Sequence, residues 1–193
     1  MRRKMRMNNE GLLLVISGPA GAGKGTVVKE LVKDDSIRLS ISATTRAPRG
    51  TEQNGVEYHF LTTEQFEKMI DEGGFIEYAK YLDKYYGTPK KPVEDWRSEG
   101  KDVILEIEVQ GCEKIKSSVP DCISIFIMPP SMEILEKRLR GRGTETEENI
   151  IKRLARAREE LPLAEKYDYV VENGALEDCV EQVREIIRKE KQK

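Results

Sequence analysis

The chain has 193 residues, 38% hydrophobic and 35% charged, with a formal net charge of −2. That length suits about one domain with a sizeable buried core, and the near-zero charge excludes a global field for nucleic acid or an anionic membrane surface. Three widely spaced cysteines, Cys112, Cys122 and Cys179, beside the single histidine His59 exclude a Cys/His metal site and suit ordinary packing in a reducing compartment.

The N-terminal segment 1–10 is basic, like the start of a leader peptide, but the apolar run behind it spans only Leu12 to Ile16 before Gly18-Pro19. That run is too short for a leader core, and no stretch approaches the roughly 20 apolar residues of a membrane span. A cytoplasmic protein with no membrane or nucleic-acid partner is expected; the sequence does not give the oligomeric state.

From there the chain alternates short apolar runs with amphipathic ones. Leu12 to Ile16 is the continuous apolar pattern of a strand buried on both faces, and a helix follows over Lys24 to Val32. Tyr58 to Leu61 and Phe75 to Ala79 are strand-like around a helix at Thr63 to Glu72, with five glycines (Gly50, Gly55, Gly73, Gly74, Gly87) as punctuation. Further strands are predicted at Val103 to Glu108, Cys122 to Met128 and Tyr169 to Val171. Their following helices lie near Gln110 to Lys116, Ser131 to Leu139 and Leu176 to Lys189. This alternation predicts an α/β fold with a parallel sheet flanked by helices. One domain over 11–190 is expected, with a core at 11–40, 91–137 and 159–190. An inserted, mostly β subdomain takes 41–90 and a small helical lid 138–158, where Gly141 and Gly143 suit a hinge.

Gly18-Pro19-Ala20-Gly21-Ala22-Gly23-Lys24 fits G-x-x-x-x-G-K at a strand-to-helix junction. Glycines allow positive φ and close approach of backbone N–H groups to phosphate, the helix N-terminus favours the same anion, and Lys24 supplies a mobile charge. The next position commonly carries a magnesium-binding hydroxyl; here it is Gly25, with Thr26 following. Magnesium would then be held by nucleotide, water and a carboxylate, while Thr26 serves an α-phosphate. A strand through 103–108 puts Glu106 and Glu108 on one face and Leu105, Ile107 and Val109 on the other, which offers Glu106 to magnesium through water.

The run from Ser42 to Tyr58, with Arg46, Pro48, Arg49, Glu52 and Asn54-Gly55, resembles the GMP-binding stretch of guanylate kinases. So do Phe75-Ile-Glu77-Tyr78-Ala79, Tyr85-Tyr86-Gly87-Thr88, Ile104 to Gly111 and Gly141 to Glu148. With the phosphate loop, these segments cover nearly all of 11–190. The resemblance implies a P-loop nucleoside monophosphate kinase fold and γ-phosphoryl transfer from Mg-ATP to GMP, with dGMP as a second acceptor. It gives Glu77 to the guanine N1–H and N2 donors, Thr88 to O6, and Ser42 and Glu108 to the purine edge. Most relatives carry Ser and Asp where Thr88 and Glu108 stand. Arg46 and Arg49 fall to the acceptor phosphate, which suits two guanidinium forks on a loop stiffened by Pro48. Tyr58 and Tyr86 donate to the same phosphate. Arg138, Arg142 and Arg153 correspond to lid arginines over the transferred group, and Asn173 to a contact near the adenine of ATP.

Simpler readings stand beside these. The arginines of 46–49 can pair with Glu52 or Glu57 as solvated charge, and the lid can be a solvated helix with pairs such as Glu148–Lys152. Arg156 and Arg158 fit either group. A kinase of another nucleotide or of a phosphorylated sugar is one functional rival. Another is a non-catalytic module that uses the cleft to bind phosphorylated proteins, which retention of Lys24 disfavours.

Overall fold

The structure, a computed structural model, describes residues 10–81, 83–141 and 146–193. The basic segment of 1–10, apart from Glu10, lies outside the described residues, as do Arg142 and Gly143. Strand β1 (Leu13–Ser17) is wholly buried and runs at the centre of a five-stranded parallel sheet. Its neighbours are β7 (Asp102–Glu106) and β8 (Ile123–Met128), with β2 (Ile37–Leu39) and β9 (Tyr169–Glu172) at the edges, in the order β2-β7-β1-β8-β9.

Burial on both faces explains the unbroken apolar run. Side chains alternate across a strand, so Leu14 and Ile16 join Leu12 against Val27, Val28 and Leu31 of α1 (Lys24–Leu31) and Cys179, Val183 and Ile187 of α7 (Leu176–Lys191). Leu13 and Val15 face the opposite layer, where Val93 of α3 (Lys90–Ser98) and Cys112 and Ile115 of α4 (Val109–Ser118) close the core with Cys122. Each such side chain contributes roughly 1.5–3 kcal/mol on leaving water. All three cysteines are buried packing residues, and burial pushes the Cys122 thiol up to about 12 and that of Cys179 to about 11.

The insertion forms its own four-stranded sheet, β4-β3-β6-β5, from β3 (Ala43–Thr44), β4 (His59–Phe60), β5 (Phe75–Tyr81) and β6 (Lys84–Pro89). Helix α2 (Thr63–Asp71) covers it; Thr62 caps the helix in a reciprocal pair with Gln65. The subdomain has few aliphatic residues, and aromatic stacking replaces them. Phe66, fully buried, stacks on Phe75 at 4.3 Å and on Tyr85 at 5.2 Å between ring centroids.

Helices α5 (Met132–Gly141) and α6 (Glu147–Glu160) form a third unit around Leu135, Leu139, Ile150, Leu154 and Ala157. The expected lid boundary at 138 therefore falls inside α5. Exposed pairs such as Lys152–Glu148 do decorate α6. A second expectation is corrected at β7, which ends at Glu106; Glu108 is the N-cap of α4 and Val109 its first residue, buried in the core. Among the described residues no helix is long and apolar enough to cross a membrane.

Candidate active site

The loop between β1 and α1 is shaped by backbone. Gly18, Gly21 and Gly23 have φ of 140°, 92° and 96°, values costly for any residue with a Cβ. A Cβ at Gly18 would stand 2.3 Å from the Ile127 carbonyl oxygen, and one at Gly23 would stand 2.3 Å from Asn173 Nδ2. Gly23 also caps α1, whose first residue is Lys24, so the helix N-terminus opens directly onto the loop. The Lys24 ammonium folds back to donate to the Gly18 and Pro19 carbonyls at 2.5 and 3.3 Å.

Asn173 sits where β9 ends. It is 5% exposed and donates from Nδ2 to the Ala22 carbonyl at 2.8 Å. Its own carbonyl accepts from Arg138 Nη2 at 2.8 Å, and Arg138 Nη1 reaches the Ala22 carbonyl at 3.4 Å. Both residues thus brace the loop from behind.

A cleft of about 190 Å³ opens on the loop at Ala20, Gly21, Gly23, Lys24 and Gly25, and Glu106, Glu108 and Arg153 complete its lining. Three separate parts of the chain converge there. Thr26, one residue further into α1, is exposed. Burial raises the Glu106 carboxyl above its ordinary value and nearby Glu108 raises it further, whereas Lys24 opposes them. A Cβ on Gly25 would lie 3.5 and 3.7 Å from the two Glu106 carboxylate oxygens. The absent hydroxyl and the acid therefore share one neighbourhood, and hard oxygen donors of this kind suit magnesium.

The second sheet carries several of the residues expected at the acceptor. Register sets Glu77 of β5 directly across from Thr88 of β6, and Thr88 Oγ1 donates to Glu77 Oε1 at 2.9 Å. Gly87 permits that approach, because a Cβ there would stand 3.0 Å from the Glu77 carbonyl. Burial raises the Glu77 carboxyl, against the opposing Thr88 hydrogen bond and the Lys114 charge.

Arg46 forms a two-pronged pair with Glu52, Nη1–Oε2 2.8 Å and Nη2–Oε1 3.0 Å. Its guanidinium also lies 5.2 Å from the Tyr58 ring centroid and 5.7 Å from that of Phe60. The Arg49 backbone N–H donates to Glu52 at 2.7 Å. These donors, Arg46 first, hold the Glu52 carboxyl down at about 2. Tyr58 packs edge-on to Tyr86 at 6.2 Å, while Ser42 is half-buried and accepts from the His59 N–H at 2.8 Å through its carbonyl. The structure therefore contains the arginine–Glu52 pairing of the simpler reading, in a half-buried and aromatic-walled setting.

Sequence reasoning named two further groups without their roles. Glu52 is the clamp that orients Arg46, visible in the sequence only as a possible charge partner. Arg156 reaches from α6 to Glu108 Oε2 at 3.2 Å and to Gln110 Oε1 at 2.7 Å, a contact that no local pattern announces.

A family model described as guanylate kinase matches residues 10–190. The chain is 52% identical over 188 residues to a guanylate kinase of Caldanaerobacter subterraneus subsp. tengcongensis, covering 97% of this chain and 91% of the relative. It is 50% identical over 185 residues to one from Clostridioides difficile, with coverage of 95% and 90%. The crystal structure of guanylate kinase from Anaplasma phagocytophilum superposes with a TM-score of 0.76 at 35% identity, covering 96% of this chain and 88% of that one. With a glycine-rich strand-to-helix loop, a second sheet and a helical pair in one chain, and with a family match over residues 10–190, the chain belongs to the guanylate kinase family.

Proposed function

We propose that this chain transfers the γ-phosphoryl group of ATP, as its magnesium complex, to GMP, giving ADP and GDP. The observation that carries the reading is the cleft at the phosphate loop, where Lys24, Glu106, Glu108 and Arg153 meet.

The donor triphosphate lies along the Gly18–Gly25 turn, where backbone N–H groups, the α1 N-terminus and the Lys24 ammonium meet its oxygens. Lys24 exchanges the Gly18 and Pro19 carbonyls for phosphate, and Thr26 offers its hydroxyl from the first turn of α1. Asn173 and Arg138 keep the loop in shape, with Arg138 also at the donor end of the site. Glu106 is the residue to hold magnesium, directly or through water; when bound, the ion screens the charge of the phosphates. On the acceptor side the Glu77 carboxylate receives the guanine N1–H and N2–H donors and Thr88 meets O6. Ser42 and Glu108 support the purine edge. Adenine would turn a lone pair at N1 toward Glu77, and a buried polar site rejects such a mismatch strongly.

Arg46 and Arg49, with the Tyr58 and Tyr86 hydroxyls, take the acceptor phosphate. The Glu52 clamp leaves Arg46 oriented before any ligand arrives, which lowers the ordering cost of binding. Phosphoryl transfer then needs in-line alignment and charge neutralisation more than covalent help. Arg153 supplies the latter from α6, and Arg142, assigned the same task, lies outside the described residues. The test is direct. Phosphorus NMR of ATP, GMP and magnesium with the enzyme should show GDP and ADP, and Lys24→Ala should slow the reaction by about 10²–10³-fold, the scale for losing one preorganised charge contact. A folded enzyme that leaves GMP unchanged would overturn the reading.

A further inference from the structure

Glu108 presents a physical difficulty. Its side chain is 63% exposed, and it is one carbon longer than the Asp that the family resemblance places there. A long exposed carboxylate with no anchor samples several rotamers, and fixing it when ligand arrives costs free energy. The structure supplies an anchor from an unexpected direction. Arg156 of α6 reaches acceptors on three of the described residues: Nε donates to Glu160 Oε1 at 2.7 Å, and Nη2 donates to Gln110 Oε1 at 2.7 Å and Glu108 Oε2 at 3.2 Å.

Glu160 is 2% exposed and also accepts from Gln110 Nε2 at 3.2 Å. The guanidinium is therefore held from the buried side, and its fork projects outward to the α4 N-cap. Only a planar group with several donors in fixed directions can reach all three acceptors together. Glu108 itself lines the cleft.

We infer that Arg156 is a positioning residue for GMP: it fixes Glu108 for the purine edge and ties that carboxylate to α6, the helix that carries Arg153. The inference rests on the assignment of Glu108 to the acceptor. As an exposed pair, Arg156–Glu108 adds little to stability, so its effect belongs in ligand binding. Coupling to α6 also means that acceptor occupancy and the placement of Arg153 are linked through one side chain.

The experiment is calorimetric titration of GMP, and separately of ATP, into the enzyme and its Arg156→Lys, Glu108→Asp, double and Glu108→Ala variants. Lysine keeps a cation beside buried Glu160 but lacks the fork, so folding is preserved while the Glu108 contact is lost. Arg156→Lys should weaken GMP about three- to tenfold, the net worth of one typical hydrogen bond, with ATP affinity unchanged. Glu108→Asp withdraws the carboxylate from Arg156, so adding Arg156→Lys to it should change GMP affinity no further. Additive effects, equal losses for ATP and GMP, or an unchanged GMP affinity in Arg156→Lys would each overturn the inference. If Glu108→Ala weakens GMP while Arg156→Lys does not, only the role of Arg156 falls. If Glu108→Ala binds GMP normally, the acceptor assignment of Glu108 falls and the inference with it.

Discussion

The two halves of the site are built from different materials. On the proposed donor side the groups offered to the ligand are backbone N–H groups of a glycine turn wedged between β8, Asn173 and α5, where Leu135 and Leu139 would stand about 3.0 Å from a Cβ at Gly21. On the acceptor side they are long side chains, each already engaged with a neighbour: Arg46 with Glu52, Glu77 with Thr88, Glu108 with Arg156. A triphosphate asks for many donors on one curved path, which rigid backbone provides cheaply. A guanine edge asks for one acceptor at one place, which only a side chain can present, and these partners keep each side chain ready. The difference teaches where perturbation should act. Donor changes should damage shape and stability, whereas acceptor changes should damage selectivity.

The largest effect separates the halves most sharply. Glu77→Gln replaces an acceptor with a mixed amide, so preference for GMP over AMP should fall by about 10²–10⁴-fold. ATP affinity should stay near wild type; an intact GMP/AMP ratio in steady-state kinetics would remove Glu77 from base recognition. Arg46→Ala comes next. It deletes the bidentate donor and leaves Glu52 facing the acceptor phosphate, and GMP binding should weaken by about 10²-fold, on the scale of lost hydrogen bonds between charged groups. Calorimetry showing unaltered acceptor affinity would refute that role.

Gly23→Ala tests the donor half. Its φ of 96° and the approach to Asn173 Nδ2 should cost about 1–3 kcal/mol of stability in a denaturant melt. ATP affinity should fall while GMP affinity persists.

The smallest effect is a shifted titration. Burial raises the folded Glu77 carboxyl above its ordinary value, so its ionised form costs stability at neutral pH, and that cost disappears as pH falls through the raised value. Carbon-13 NMR of the free enzyme should give a Glu77 midpoint above that of an ordinary glutamate. Guanine donors favour the carboxylate, so saturating GMP should move the midpoint down; no movement would mean that the carboxylate does not meet the base.

Legibility from sequence follows the same division. The phosphate loop, β1, α1 and α7 were readable because backbone demands and two-faced burial write glycines and apolar runs into consecutive positions. Strand β3 is two residues long and leaves no periodic trace, whereas β4, equally short, falls inside the strand expected at Tyr58 to Leu61; β6 announces itself only through register with β5. The strand through Glu108 was misread because an apolar alternation continues past Glu106, although the chain turns there and Val109 is buried as the start of a helix. The bracing of Ala22 by Asn173, 151 positions away, and the reach of Arg156 to Glu108 are products of the fold. A single sequence holds no local signal for either.

The central claim is that a backbone cup holds the donor while a separate side-chain pocket selects guanine. An acceptor panel tests it most directly, with purified enzyme given magnesium, ATP and, in turn, GMP, AMP, dTMP and UMP, and with kcat/KM measured for each. The account predicts that GMP exceeds AMP by at least about 10³-fold, the discrimination expected of a buried hydrogen-bonding site. Comparable turnover of AMP or a pyrimidine nucleotide, in enzyme that still needs Lys24, would contradict it.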